Sequence, residues 1–189
     1  AGRDVRRVSP YVGELQSVAW SPDGEWLAYV ARTAPVPGEA PHIYRVPARG
    51  GEPEQLVGAL FAAAPGTLTY RALTWSPDGR WLAFSVEGDI DPALQGVYRL
   101  DVDGGTPERL VAGCCPSWSP AGDWLAFLTE GEGGARGLAR VTPDGARVER
   151  LTDGLNVGPG IVWSPDGEWL AFFAFDTANA WTLYRMRAD

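Results

Sequence analysis

Cys114 and Cys115 stand side by side and are the only cysteines of the chain. Two adjacent thiols suit either a strained vicinal disulfide or a soft metal. By themselves they fall short of the four ligands of an ordinary zinc site. The plainer reading makes them small residues lining a channel. His42 is the only histidine. A Ser-His-Asp triad needs one, but no Gly-x-Ser-x-Gly elbow accompanies it, and its place between Pro41 and an apolar run marks a surface or loop position. Asp23, Asp78 and Asp166 could serve as catalytic or metal-binding carboxylates. They recur at one place in a repeated phrase, however, and a repeated position normally serves the repeat, here as a turn residue bonding to nearby backbone. Glu87-Gly88-Asp89-Ile90-Asp91 gathers oxygen ligands of the kind calcium takes, but lacks the spacing of a calcium loop and reads as a solvated connection. Glu130-Gly131-Glu132-Gly133-Gly134 is the corresponding stretch one repeat later, and its glycines suggest mobility rather than a site. No catalytic set assembles, so no enzyme activity, cofactor or metal is expected of this chain alone.

These residues are positioned by a phrase that occurs four times: WSPDGEWLAY from Trp20, WSPDGRWLAF from Trp75, WSPAGDWLAF from Trp118 and WSPDGEWLAF from Trp163. Self-similarity at a period of roughly 45 residues is the mark of a propeller or solenoid. Each repeat reads as four short strands. The first ends at the leading tryptophan. Ser-Pro-Asp-Gly then turns the chain, with proline presetting φ and glycine taking the left-handed position. The second strands, Trp26–Val30, Trp81–Val86, Trp124–Thr129 and Trp169–Phe175, are apolar on both faces, as strands covered on two sides are. The third are Ile43–Pro47, Val97–Val102, Leu138–Val141 and Leu183–Met186. The fourth are Glu54–Val57, Glu108–Val111 and Glu149–Thr152. Repeats therefore span about 10–57, 67–111, 112–152, and 157–189 joined with 1–8, in one all-β propeller domain or half-propeller of four antiparallel four-stranded blades. The last repeat has no fourth strand of its own. Asp4-Val5-Arg6-Arg7-Val8 looks like an orphan fourth strand, and is expected to complete the last blade, within one chain or between two.

Aligned on the leading tryptophan, Cys114 falls opposite Gln16, Arg71 and Pro159, and Cys115 opposite Ser17, Ala72 and Gly160. Gln16, Arg71, Cys114 and Cys115 are thus the candidate channel or ligand contacts. Arg71 is the one suited to an acidic group. The first repeat carries extra loop length at Ala34–Pro41 and Leu60–Thr69, where recognition usually resides.

Charge narrows the partners. The net charge of −8 opposes nucleic-acid binding, which needs a basic surface. No apolar run approaches the roughly 18 residues of a membrane span, and no signal peptide is visible. Two cysteines leave the compartment open. All sixteen basic residues are arginine.

The phrase W-S-P-D-G-x-x-L-A-F, followed by I/L-Y-R and D-G-G-x-P-E-R-L, resembles the repeat of the TolB-like propellers, a WD-repeat-like family, over nearly the whole chain. The resemblance implies a ring of roughly six to eight blades and a periplasmic or extracellular setting. It also implies one of two roles: a non-catalytic scaffold that binds a protein or peptide through loops and channel, or the substrate-gating propeller of a larger enzyme such as a prolyl-oligopeptidase-like serine peptidase. Four repeats allow a four-bladed ring, a homodimer closing eight blades, or a segment of a longer propeller. The two-chain ring is favoured, because blades built for wide rings have the wrong wedge angle for a four-fold one. Ala121 departs from the pattern by replacing the turn aspartate, so the third turn is expected to be less well tied.

Overall fold

The structure, a computed structural model, describes residues 5–9, 15–32, 41–58, 68–131, 134–175 and 180–189. Strands β1 (Leu15–Trp20), β2 (Trp26–Ala31), β3 (His42–Pro47) and β4 (Glu54–Val57) form the first blade. The second comprises β5 (Leu68–Trp75), β6 (Trp81–Gly88), β7 (Gly96–Asp101) and β8 (Glu108–Val111), and the third β9 (Cys114–Trp118), β10 (Leu125–Glu130), β11 (Arg136–Val141) and β12 (Val148–Arg150). In each, neighbours in sequence are neighbours in the sheet and every pair is antiparallel. The fourth sheet holds β13 (Asn156–Val157), β14 (Val162–Trp163), β15 (Trp169–Phe175) and β16 (Trp181–Arg187). No helix among the described residues is long and apolar enough to cross a membrane.

The repeated turn has one chemistry. In the first blade the Ser21 hydroxyl donates to Asp23 and accepts the Trp26 amide at 2.9 Å, while the Glu25 amide donates to the Asp23 carboxylate at 2.9 Å. The same set recurs around Ser76–Asp78 and Ser164–Asp166. Gly24, at φ +74°, occupies the left-handed position that closes the turn. A second repeated device runs across each blade. Arg45 lies over the Trp26 ring at 4.7 Å, Arg99 over Trp81 at 4.3 Å, Arg140 over Trp124 at 4.1 Å and Arg185 over Trp169 at 4.6 Å. The first three also pair with a glutamate of the outer strand, Glu54, Glu108 or Glu149. The I/L-Y-R and P-E-R-L segments of the repeat are thereby tied to its second tryptophan.

Alternation along the second strands explains why they are apolar throughout. Leu82, Phe84 and Val86 of β6 enter one core with Ala28, Val30 and Ile43 of the first blade. Ala83, between them, turns to the opposite core with Trp118, Leu125 and Phe127 of the third. Ala126 and Leu128 of β10 then meet Leu170, Phe172 and Ala174 of β15. The second and third blades thus each contribute to two inter-blade cores, while Tyr29, Ala31 and Val46 form a smaller core on the first blade alone.

At the ends of this stack the faces are open. Val18 and Trp20 of the first blade are 62% and 59% exposed, and Phe173, Trp181 and Leu183 of the fourth are 47%, 55% and 65% exposed. The four blades therefore form an arc.

Of the two expected forms of terminal closure, the one within a single chain needs correction. Residues 5–8 join no strand, and Val8 packs beside Tyr29 and Val46 on the first blade, where Ser9 Oγ lies 3.2 Å from the Tyr29 hydroxyl. Asp4 lies outside the described residues. The fourth sheet reaches four members because its inner strand is broken into β13 and β14, both paired with β15, and β16 pairs only with β15. The physical reason is apolar: Val8 finds a hydrophobic cover on the open first face.

Candidate functional site

The inner strand of each blade carries an irregularity at the same place. Register slips between Leu15 and Ser17 in β1 and between Arg71 and Thr74 in β5, and in β9 the residues Cys115 and Pro116 both oppose Phe127. Ala72 and Cys115 sit there at φ +53° and +60°, and Gly160 of the fourth blade at +101°. Glycine takes this conformation freely, whereas Ala72 and Cys115 hold it at a cost of roughly 1–2 kcal/mol each. Ser85, fully buried, locks two of these bulges together. Its hydroxyl donates to the Arg71 carbonyl at 3.2 Å and accepts the Cys115 amide at 3.4 Å.

The bulge brings chemistry together at the boundary of the second and third blades. The Sγ atoms of Cys114 and Cys115 are 3.0 Å apart, Cys114 is buried and Cys115 half-buried, and neither is in a disulfide. Glu87, on β6, brings a carboxylate oxygen to the same place, all three ligand atoms lying within 4.8 Å of one another. The contact with Cys114 lowers the pKa of Cys115, with the positive charges of Arg136 and Arg71 in support, while the same contact and burial push Cys114 up. Gly113 makes the approach feasible, since a Cβ there would meet the Leu128 carbonyl oxygen at 2.4 Å and the Phe127 ring at 2.7 Å.

No protein-family model matches the sequence, and no curated protein does. Solved structures do. A TolB-type protein of Agrobacterium tumefaciens is 25% identical, with a TM-score of 0.69 over 95% of this chain and 64% of that one. The chain has the TolB-like β-propeller fold. TolB from Acinetobacter baumannii matches this TolB-like propeller at 21% identity and a TM-score of 0.71 over 93% of the chain and 41% of that protein. A puromycin-hydrolysing peptidase of Mycobacterium tuberculosis matches at 17% identity and 0.71 over 96% of the chain and 28% of its own length. The chain thus spans less than two thirds of the length of each of these proteins.

Other sequence-derived candidates fall elsewhere in the propeller. Asp23, Asp78 and Asp166 stand in the blade turns, each pKa lowered first by the serine hydroxyl of its own turn. In the third turn Asp123 stands in for the missing partner of Ala121: Ser119 Oγ donates to it at 2.8 Å and still accepts the Trp124 amide at 3.1 Å. What the third turn lacks is the carboxylate bond to the following amide. His42 stacks on Tyr44 at 6.0 Å. Asp91 caps a short 3-10 turn, Pro92–Leu94, by accepting the Ala93 amide at 2.9 Å, and Ile90 beside it is buried, so the acidic stretch is an ordered element rather than a solvated loop. Arg71 is exposed on β5. Gln16 lies at the bulge of β1, with its side chain outside the described residues. The extra loops of the first repeat fall almost wholly outside them too. Glu87 was the residue the sequence did not single out for the thiols. Period-two alternation shows only that it and Ser85 share a face of β6.

Proposed function

We propose that this TolB-like propeller is a non-catalytic scaffold that binds a protein or peptide partner through its inner strands and loops. The observation that supports the reading is the division of labour among polar residues. The repeated aspartates, arginines and glutamates serve turns and sheets, while exposed Arg71 stands on an inner strand, ready for an acidic group of a partner. A photo-crosslinking residue placed at Arg71 in cells of the source organism tests this. Adducts to a defined protein from that position, and none from Arg147 on the outer hairpin, are expected. Equal labelling from both positions would refute it.

A second reading draws on the Mycobacterium peptidase, which contains a match to nearly all of this chain in about a quarter of its own length. In that reading the propeller restricts access to a hydrolase domain elsewhere in a longer protein. An α/β-hydrolase segment with a serine elbow in the same reading frame would decide for it.

The scaffold reading extends to a homodimer. Trp75 donates its indole N–H to the Ala19 carbonyl at 3.3 Å and Trp163 to the Ser117 carbonyl at 2.9 Å, each reaching back to the preceding blade. Trp20 is the equivalent residue of the first blade and is exposed. The Val162 carbonyl of a second copy is the matching acceptor, so two arcs would join end to end. Solution mass tests this: twice 20.3 kDa is expected, falling to 20.3 kDa in Trp20→Arg. A wild-type chain that stays monomeric at high concentration rules the pairing out.

A further inference from the structure

We propose that Glu87, Cys114 and Cys115 form a binding site for a thiophilic divalent cation of the zinc or cadmium type. Three observations converge. Their ligand atoms already lie within 4.8 Å of one another, although Glu87 comes from the second blade and the thiols from the third. Glu87 Oε1 is sealed from water and accepts no hydrogen bond. Buried polar atoms are almost always paired, and an unpaired carboxylate oxygen is costly enough to call for a cation or a donor. The frame is also built in advance: Cys115 is held in the left-handed region by the Ser85 link, and Gly113 is the only residue type that fits the preceding position.

The donor set selects the ion. Two sulfurs and one carboxylate oxygen suit borderline and soft metals, while calcium and magnesium require oxygen shells. Three protein ligands leave a fourth tetrahedral position for water or for an exogenous ligand. That position has an approach, because a cleft of about 510 Å³ lined by Glu87, Cys114, Gln95 and Arg136 opens beside the site. Binding requires both sulfurs as thiolates, so any thiol proton leaves to solvent as the metal binds. Two thiolates and a carboxylate around a divalent ion leave one negative charge, which Arg136 and Arg71 offset.

Cadmium and zinc titrations of the reduced full chain test the site. Cadmium should raise a thiolate-to-metal charge-transfer band in the ultraviolet that saturates at one equivalent. Zinc, followed against a chromophoric chelator, should compete for the same site, and calcium should not. Cys114→Ser and Cys115→Ser should each abolish the band. Glu87→Gln should weaken binding at least tenfold with circular dichroism unchanged, and Asp103→Asn, far from the site, should leave it intact. If the Gln variant unfolds, Glu87→Asp replaces it, with weaker binding again expected because the shorter carboxylate draws back. Absence of a saturable band in the reduced wild type overturns the proposal. So does binding that survives loss of Glu87 unchanged. A chain that shows only a reversible mass loss of two hydrogens, with no metal uptake after reduction, assigns the thiols to a vicinal disulfide and overturns it as well.

Discussion

The amide of Cys115 donates to the hydroxyl of Ser85, 3.4 Å away on the neighbouring blade, and Ser85 in turn donates to the Arg71 carbonyl. One fully buried serine thus fixes the bulges of two inner strands. Replacing it with alanine leaves a buried amide and a carbonyl without that partner. Ser85→Ala should lower stability by about 1–3 kcal/mol. Urea unfolding measures this, and a midpoint unchanged from wild type would show that the bulges stand on their own.

Arg99 combines three contacts: the Trp81 ring, the Glu108 carboxylate, and the Pro143 carbonyl of the third blade at 2.5 Å. Lysine keeps the charge but loses the planar stacking and the forked hydrogen bonding. Arg99→Lys should cost about 1 kcal/mol, most of it from the ring contact, because Glu108 is 60% exposed and its ion pair is screened by solvent. Arg80→Lys, at a side chain 62% exposed, should lie within about 0.5 kcal/mol of wild type. Paired thermal melts of the two variants test the contrast.

The turn aspartates set a pH dependence. The hydroxyls of Ser21, Ser76 and Ser164 hold Asp23, Asp78 and Asp166 below the ordinary carboxylate range. The charged forms are favoured by folding. Their contribution is therefore complete above the unfolded aspartate value and is lost as pH falls through the lowered folded values. Urea midpoints should decline from about pH 5 downward. The Asp23→Asn, Asp78→Asn, Asp166→Asn triple variant should start lower and decline less steeply. A parallel decline would place the acid sensitivity in other groups.

The third turn is open to improvement. Ser119 is served by Asp123 there, but the amide of residue 123 has no carboxylate of the kind that Asp23 gives Glu25. Restoring the phrase with Ala121→Asp and Asp123→Glu together should stabilise the chain by about 0.5–2 kcal/mol. The single Ala121→Asp change should gain less, because two carboxylates then compete for one hydroxyl. Differential scanning calorimetry of the two variants settles the order.

Gly113 and Gly104 separate crowding from backbone strain. Both have φ between +130° and +145°, but a Cβ at Gly113 collides with Leu128 and Phe127, while one at Gly104 meets nothing within 4 Å. Gly104→Ala should cost about 1 kcal/mol and Gly113→Ala at least twice that. Equal losses would mean that the inner strand shifts without penalty.

The sequence alone determined the blade. Four copies of Trp-Ser-Pro-x-Gly place the turns, and the doubly apolar second strands demand neighbours on both sides, so a four-bladed stack follows from local pattern. The Arg–Trp pairing was also within reach: Arg99 lies opposite Ala83, one step along the face from Trp81. Tertiary structure decided the ends and the thiol site. Val8 could pair as an edge strand or cover an apolar face, and only the open first blade, with Tyr29 and Val46 waiting, selects the second. Glu87 and Cys114 belong to different blades, and no periodicity within either strand points one at the other. They meet because blades stack face to face, and contacts across a stack depend on the angle between sheets, which no single repeat encodes.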